Sequence, residues 1–121
     1  MRKLVIPILF LTLSLTIPSE VYKGTASYYG QNYTGRLTAS GEKFHKDSLF
    51  AAHKTFKFGT LVKVINLVND SVRFVKINDR LPKSSKRIID LSYGAAKQLN
   101  FIKRGIVPVS IEIVGSLPIN K

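Results

Sequence analysis

Cysteine and tryptophan are absent from the 121 residues, and acids are scarce: seven Asp and Glu stand against nineteen Lys and Arg. Without cysteine there is no disulfide framework, no thiolate metal site, no thiol nucleophile and no residue to carry a lipid on sulfur. Two histidines with no clustered His/Asp spacing provide no dedicated metal site, and no cofactor is expected. What is present is apolar enough to fold: 45% of the chain is hydrophobic, with seven Phe and five Tyr, beyond what a disordered chain carries. The length fits one small domain and leaves no room for a second sizeable core. A formal charge of +12 calls for an anionic partner or surface.

Part of the hydrophobicity belongs to a leader. Met1-Arg2-Lys3 is a short basic start, residues 4–17 are almost wholly apolar, and Pro18-Ser19-Glu20 follows. That order reads as a secretory signal peptide over residues 1–19. The run is shorter than the roughly 20 apolar residues of a membrane span, and Pro7 weakens a permanent helix. The small-residue cleavage rule is only partly met, by Ser19 with Ile17 as its partner, so an uncleaved anchor is the alternative. In both readings the remainder, residues 20–121, is exported to the periplasm or cell envelope, without a lipid anchor and without stable membrane insertion after cleavage. Removal of Arg2 and Lys3 leaves 17 basic and 7 acidic residues, a balance of +10. Nucleic acid is the default partner of a basic intracellular domain. Export replaces it with anionic lipid, wall polymers and acidic glycans, the competing reading being that the charge serves solubility alone.

From Tyr22 onward there is no linker or low-complexity stretch. Lys23 to Gly30 alternates small and aromatic residues and predicts a first strand. Residues 31–46, rich in Gly, Asn, Thr and Ser, predict a long loop, the kind of irregular stretch that carries function in a compact domain. Leu61 to Leu67 and Val72 to Asn78, joined by Val68-Asn69-Asp70-Ser71, form the clearest hairpin. Arg87 to Leu91 is a short strand, Ser92 an N-cap, and Tyr93 to Leu99 the one good helix. Val107 to Val114 alternates and closes the fold, with Pro108 tolerable at an edge or first position. About six short strands and one helix point to an all-β protein, a small β-barrel whose closure hides its edges. The inward set is expected to include Val62, Val64, Phe74 and Ile111.

Six segments read together carry a resemblance: Ala26-Ser27-Tyr28-Tyr29-Gly30, Thr38-Ala39-Ser40-Gly41-Glu42, Ala51-Ala52-His53, Phe58-Gly59-Thr60, Asn78-Asp79-Arg80 and Arg87-Ile88-Ile89-Asp90-Leu91-Ser92. In this order and spacing the chain resembles the RlpA-like (rare lipoprotein A) proteins over residues 24–114. The resemblance implies a six-stranded double-psi β-barrel with one short helix. It also implies lytic transglycosylase activity on the MurNAc–GlcNAc bond of peptidoglycan glycan strands, leaving anhydro-muramyl ends. Many relatives are lipoproteins, which a chain without cysteine is not, and many carry a C-terminal glycan-binding SPOR domain, whereas this sequence stops at Lys121. A monomer is expected.

Such a reaction needs an acid at the leaving glycosidic oxygen. Because the sugar's own hydroxymethyl oxygen then attacks the anomeric carbon, one carboxyl can act as acid and afterwards as base. The paired carboxylates of ordinary glycosidases are not compulsory. Of the seven acids, Glu20 and Asp47 lie outside the motifs, Asp70 sits in a hairpin turn and Glu112 falls mid-strand. Glu42, Asp79 and Asp90 remain. Asp79 ends a strand and enters Arg80-Leu81-Pro82, where the chain leaves the barrel; the competing role is a turn cap or a pair with Arg80. Asp90, between Ile89 and Leu91, should have a raised pKa if buried, and the related lytic transglycosylase A and the expansins use an Asp in a comparable position. The alternative is a structural carboxylate bonded near the helix start. The resemblance places Glu42 and His53 in the groove beside Asp79. Tyr28, Tyr29 and Tyr33 are a candidate sugar-stacking platform, with core packing the other option for one of the first two. Arg36, Lys54 and Arg80 are candidates to meet the lactyl carboxylate of muramic acid.

Two other classes compete. An expansin-like module that binds or loosens wall without catalysis shares the barrel, but it needs aromatics more than acids, and Trp is absent. A barwin-related defence protein or protease inhibitor lacks its cysteine framework here.

Overall fold

The computed structural model describes residues 19–121; the basic start and apolar run of the expected signal peptide lie outside the described residues. Six strands and one helix follow in the order β1 (Val21–Tyr28), a single 3-10 turn (Gln31–Tyr33), β2 (Phe50–His53), β3 (Thr60–Asn66), β4 (Val72–Arg80), β5 (Ile89–Leu91), α1 (Tyr93–Gln98) and β6 (Val107–Ser116). They close into a barrel in the order β1-β5-β2-β4-β3-β6. This is the six-stranded barrel with one short helix that the motifs predict.

The hairpin forms as expected, with Leu61 opposite Lys76 and Ile65 opposite Val72. β6 spans both sides of the seam, antiparallel to β3 and to β1. Two pairings are parallel, β1 with β5 and β2 with β4, and these need crossovers rather than hairpins. The long loop, residues 29–49, connects β1 to β2, which β5 separates in the barrel.

Val62, Val64, Val75, Ile77, Val109 and Ile111 fill the interior, closed below by Ala95, Ala96, Leu99 and Phe101. Phe74 is a correction: it is 48% exposed, opposite Lys63 on the outer surface. Strand β4 has apolar residues on both faces, so alternation alone does not choose, and Val75 with Ile77 take the interior. Ser92 caps α1 by accepting the Ala95 N–H at 3.2 Å. At the other end, Asn66, Asn69 and Ser71 side chains all donate to the Leu99 carbonyl, which ties the hairpin turn to the helix. Beyond β6 the chain runs back along the barrel, its Leu117 N–H donating to the Gly59 carbonyl at 2.7 Å.

Candidate active site

Strand register fixes the two candidate aspartates. Ala52 of β2 lies opposite Asp90 of β5 on one side and Asp79 of β4 on the other, and Ser27 of β1 lies opposite Asp90. Ser27, Asp90, Ala52 and Asp79 thus form one row around the barrel. The two carboxylates stand two strand spacings apart, about 10 Å between backbones. Ala52 puts only a methyl group between them.

Asp79 sits where β4 leaves the barrel, and each of its oxygens has one donor. The Tyr29 hydroxyl donates to Oδ2 at 2.6 Å and the Ala39 N–H to Oδ1 at 2.8 Å. Arg80 does not pair with it. The Arg80 guanidinium lies 4.1 Å above the Phe58 ring and donates to the His53 carbonyl. Tyr29 is held in place by its own N–H, which continues the β1–β5 ladder to the Leu91 carbonyl. Burial, the bond to Asp79 and the charges of Asp79 and Asp90 push the Tyr29 hydroxyl far up, so it remains a donor at every working pH.

Asp90 is not in the apolar surroundings that its neighbours in sequence predict. Arg87 grips it through two bonds, Nε to Oδ1 at 2.7 Å and a terminal nitrogen to Oδ2 at 3.0 Å, and Ser27 donates to Oδ1 at 2.6 Å. A carboxylate held by a bidentate guanidinium and a hydroxyl is fixed in direction.

Glu42 lies in the same 38–42 turn as Ala39, one of Asp79's donors. Its carboxylate accepts from the Lys76 ammonium at 2.6 Å, the Asn78 side-chain amide at 3.0 Å and the Asn120 N–H at 2.8 Å. Burial pushes its pKa up, but these three donors outweigh it and hold the group below the usual carboxylate range. Asn78 itself keeps Oδ1 buried with no partner among the described residues. A groove of about 770 Å³ opens here, lined by Glu42, Lys43, Phe50, Lys76, Asn120 and Lys121 among others. Asp79 and Asp90 are not in its lining.

His53 stacks on Phe56 with centroids 3.6 Å apart, and its Nδ1 accepts the N–H groups of Thr55 and Phe56. Neither ring nitrogen bonds a carboxylate among the described residues. Burial, with the charges of Arg80 and Lys54, lowers its pKa to about 4, so the ring is neutral at pH 7 with its proton on Nε2.

The three tyrosines divide. Tyr28 turns to α1, donates to the Ile102 carbonyl and packs edge-on to Tyr93 and Phe101, so it is a packing residue and not part of the platform. Neighbours on a strand point oppositely, and Tyr29 therefore faces the loop. Tyr29, Tyr33, Phe44 and Phe50 form an aromatic cluster, with Arg36 5.2 Å over the Tyr33 ring. The Lys54 ammonium is tied to the Ser85 carbonyl in the β4–β5 loop. Sequence reading missed Ser27 as a partner of Asp90 and Lys76 and Asn120 as partners of Glu42; Ser27 lay inside a motif, whereas Asn120 is 78 residues from Glu42 and carried no signal.

No group of His, Asp and Glu among the described residues is arranged to hold a metal ion.

The family model described as "Lytic transglycolase" matches residues 21–111. The chain is 45% identical over 96 residues to the endolytic peptidoglycan transglycosylase RlpA of Campylobacter jejuni, covering 79% of this chain and 35% of that protein. It is 47% identical over 94 residues to the RlpA of Haemophilus influenzae, covering 78% and 33%. The chain thus spans about a third of the length of these curated relatives. In fold it is similar to the Streptomyces papain inhibitor, with a TM-score of 0.65 at 24% identity over 81% of this chain and 98% of that one. A Clavibacter michiganensis expansin solved with cellohexaose also gives 0.65, at 18% identity over 84% and 54%. These two likenesses show the double-psi barrel alone. With its motifs in register and the model matching from residue 21 to residue 111, this chain belongs to the lytic transglycolase family.

Proposed function

We propose that the protein is an exported peptidoglycan lytic transglycosylase that cleaves the MurNAc–GlcNAc bond of glycan strands without water. The observation that carries this reading is Asp79, a carboxyl at the barrel rim with no cationic partner among the described residues, oriented by Tyr29 and Ala39 beside an aromatic face. Each Asp79 oxygen keeps a second lone pair for a substrate proton. In the protonated state Asp79 gives its proton to the glycosidic oxygen as the bond to the anomeric carbon breaks. The muramyl C6 hydroxyl then attacks that carbon, and the Asp79 carboxylate takes the hydroxyl proton. The product is a 1,6-anhydro ring, and the catalyst is restored with its proton.

Asp90 serves as a structural carboxyl rather than as the acid, because Arg87 and Ser27 occupy both of its oxygens. Glu42 acts through the loop it holds, and neutral His53 supports the rim beside Arg80. Tyr29, Tyr33 and Arg36 offer stacking and charge to the sugar chain, and Lys54 and Arg80 lie where a lactyl carboxylate can approach. The unpartnered Oδ1 of Asn78 is available to a sugar hydroxyl or acetamido N–H. Residues 1–19 act as a signal peptide, the mature chain works in the periplasm or envelope as a monomer, and its basic surface draws it to the anionic wall. Support comes from the activity for which the relatives are named and from the leader pattern.

The experiment is digestion of peptide-free glycan strands by the purified protein, with products read by mass. Anhydro-muramyl ends are expected. Binding to the strands with no fragment released favours the wall-loosening module instead, and an intact mass that retains Met1 favours the uncleaved anchor.

A further inference from the structure

Segment 117–121 runs across the barrel as a strap. It is fixed at three points: Leu117 N–H to the Gly59 carbonyl at 2.7 Å, the Lys76 ammonium to the Pro118 carbonyl at 3.0 Å, and Asn120 N–H to Glu42 Oε2 at 2.8 Å. Lys76 therefore joins strap and carboxylate at once, since it also donates to Glu42 Oε2 at 2.6 Å.

Glu42 in turn closes a tight turn. Thr38 N–H and Oγ1 both donate to the Glu42 carbonyl at 2.8 and 2.9 Å, and Gly41 N–H donates to the Thr38 carbonyl at 2.9 Å. Residues 38–42 consequently move as one body. That body meets β4 through Ser40 N–H to the Asn78 carbonyl at 3.0 Å, Asn78 amide to Glu42 at 3.0 Å, and Ala39 N–H to Asp79 Oδ1 at 2.8 Å. A single rigid turn thus receives the strap on one side and delivers a donor to Asp79 on the other.

We infer that Lys76 and the backbone N–H of Asn120 are positioning groups for Asp79, acting through Glu42 and the 38–42 turn. The inference rests on the reading of Asp79 as the acid for its functional consequence, but its structural step stands independently. Releasing the strap frees one side of the Glu42 carboxylate, loosens the turn, and weakens the Ala39 N–H bond that sets the direction of the Asp79 carboxyl. A small misdirection of a catalytic group lowers turnover more than binding.

Two variants test this in the whole protein. Lys76→Met removes the ammonium and keeps the stem; Asn120→Pro removes the N–H that Glu42 accepts, together with the Asn side-chain amide, and fixes φ. Hydrogen exchange of the Ala39 amide reports the turn directly and does not depend on activity. Exchange of Ala39 is expected to rise about tenfold in both, the equivalent of losing one charge-assisted hydrogen bond, while Val64 and Val109 keep their protection. On glycan strands kcat should fall about tenfold with KM within about twofold, and Lys76→Arg should restore both exchange and kcat. Ala39 exchange unchanged in Asn120→Pro with the core intact overturns the inference, whatever Lys76→Met does to stability. Raised exchange and unchanged kcat overturn the catalytic consequence. If the wild-type protein releases no anhydro product while Ala39 exchange responds as expected, the positioning chain stands and the assignment of Asp79 fails.

Discussion

At Asp79 the side chain's neighbours are donors without charge, so an amide in its place can keep the Ala39 bond while losing the proton that chemistry needs. Asp79→Asn is expected to melt within a couple of degrees of wild type and to lose about 10²–10⁴-fold in rate. A melting curve and an initial rate on the same preparation check both halves. His53 has a different signature. Its pKa falls from 6.5 to about 4 on folding, so the unfolded chain takes up a proton between those values and the folded chain does not. The stability this group contributes is therefore complete above about pH 6.5 and is lost as pH falls toward 4. Thermal melts from pH 7 to pH 4 should show that slope, and His53→Gln should flatten it. Candidate residues were legible because motif spacing marks them; their partners were not. Sequence offers adjacent Arg80 as an alternative partner for Asp79, yet consecutive strand residues diverge, and Arg80 finds Phe58 instead.

Among the elements, the hairpin of β3 and β4, the helix with its Ser92 cap and the final strand were readable from alternation and capping chemistry. Strand β2 was not. Phe50–His53 is four residues long, buried throughout and half alanine, so it has neither alternation nor strong β propensity. Its two neighbours, one parallel and one antiparallel, come from distant sequence and give it its place. Because β2 sets Asp79 and Asp90 in one row, the carboxylate spacing was illegible for the same reason. On β5, Asp90→Asn breaks the bidentate pair with a part-exposed Arg87, and about 1 kcal/mol should be lost. A melting temperature lower by several degrees is the expected readout. Between β2 and β3, Gly59 has φ +93°, and a β-carbon there would stand 2.5 Å from the Leu117 carbonyl oxygen. Gly59→Ala is expected to lose about 1–3 kcal/mol and to release the start of the strap, seen as a lower melting temperature.

For the molecule as a whole, the barrel's closure hides the edges while a large excess of Lys and Arg remains at the surface. Among the described residues only Lys76 and Arg87 form ion pairs with carboxylates, so most of the positive charge is free to meet an anionic polymer. Binding to isolated wall material should weaken steeply between low and high salt, since such a field is screened over about 10 Å at 0.1 M. Affinity that does not change with salt would assign the charge to solubility. Fold class was legible at this scale from strand count and motif order, because a chain this small with six short strands must close its sheet. The central claim is that the sugar's own hydroxyl, not water, attacks the anomeric carbon beside Asp79. Digestion of glycan strands in water labelled with heavy oxygen, followed by mass analysis of the released ends, tests it most directly. The account predicts anhydro-muramyl ends, lighter than reducing ends by one water and free of label, and almost none of them from Asp79→Asn. Labelled reducing ends, or full release by Asp79→Asn, would contradict it.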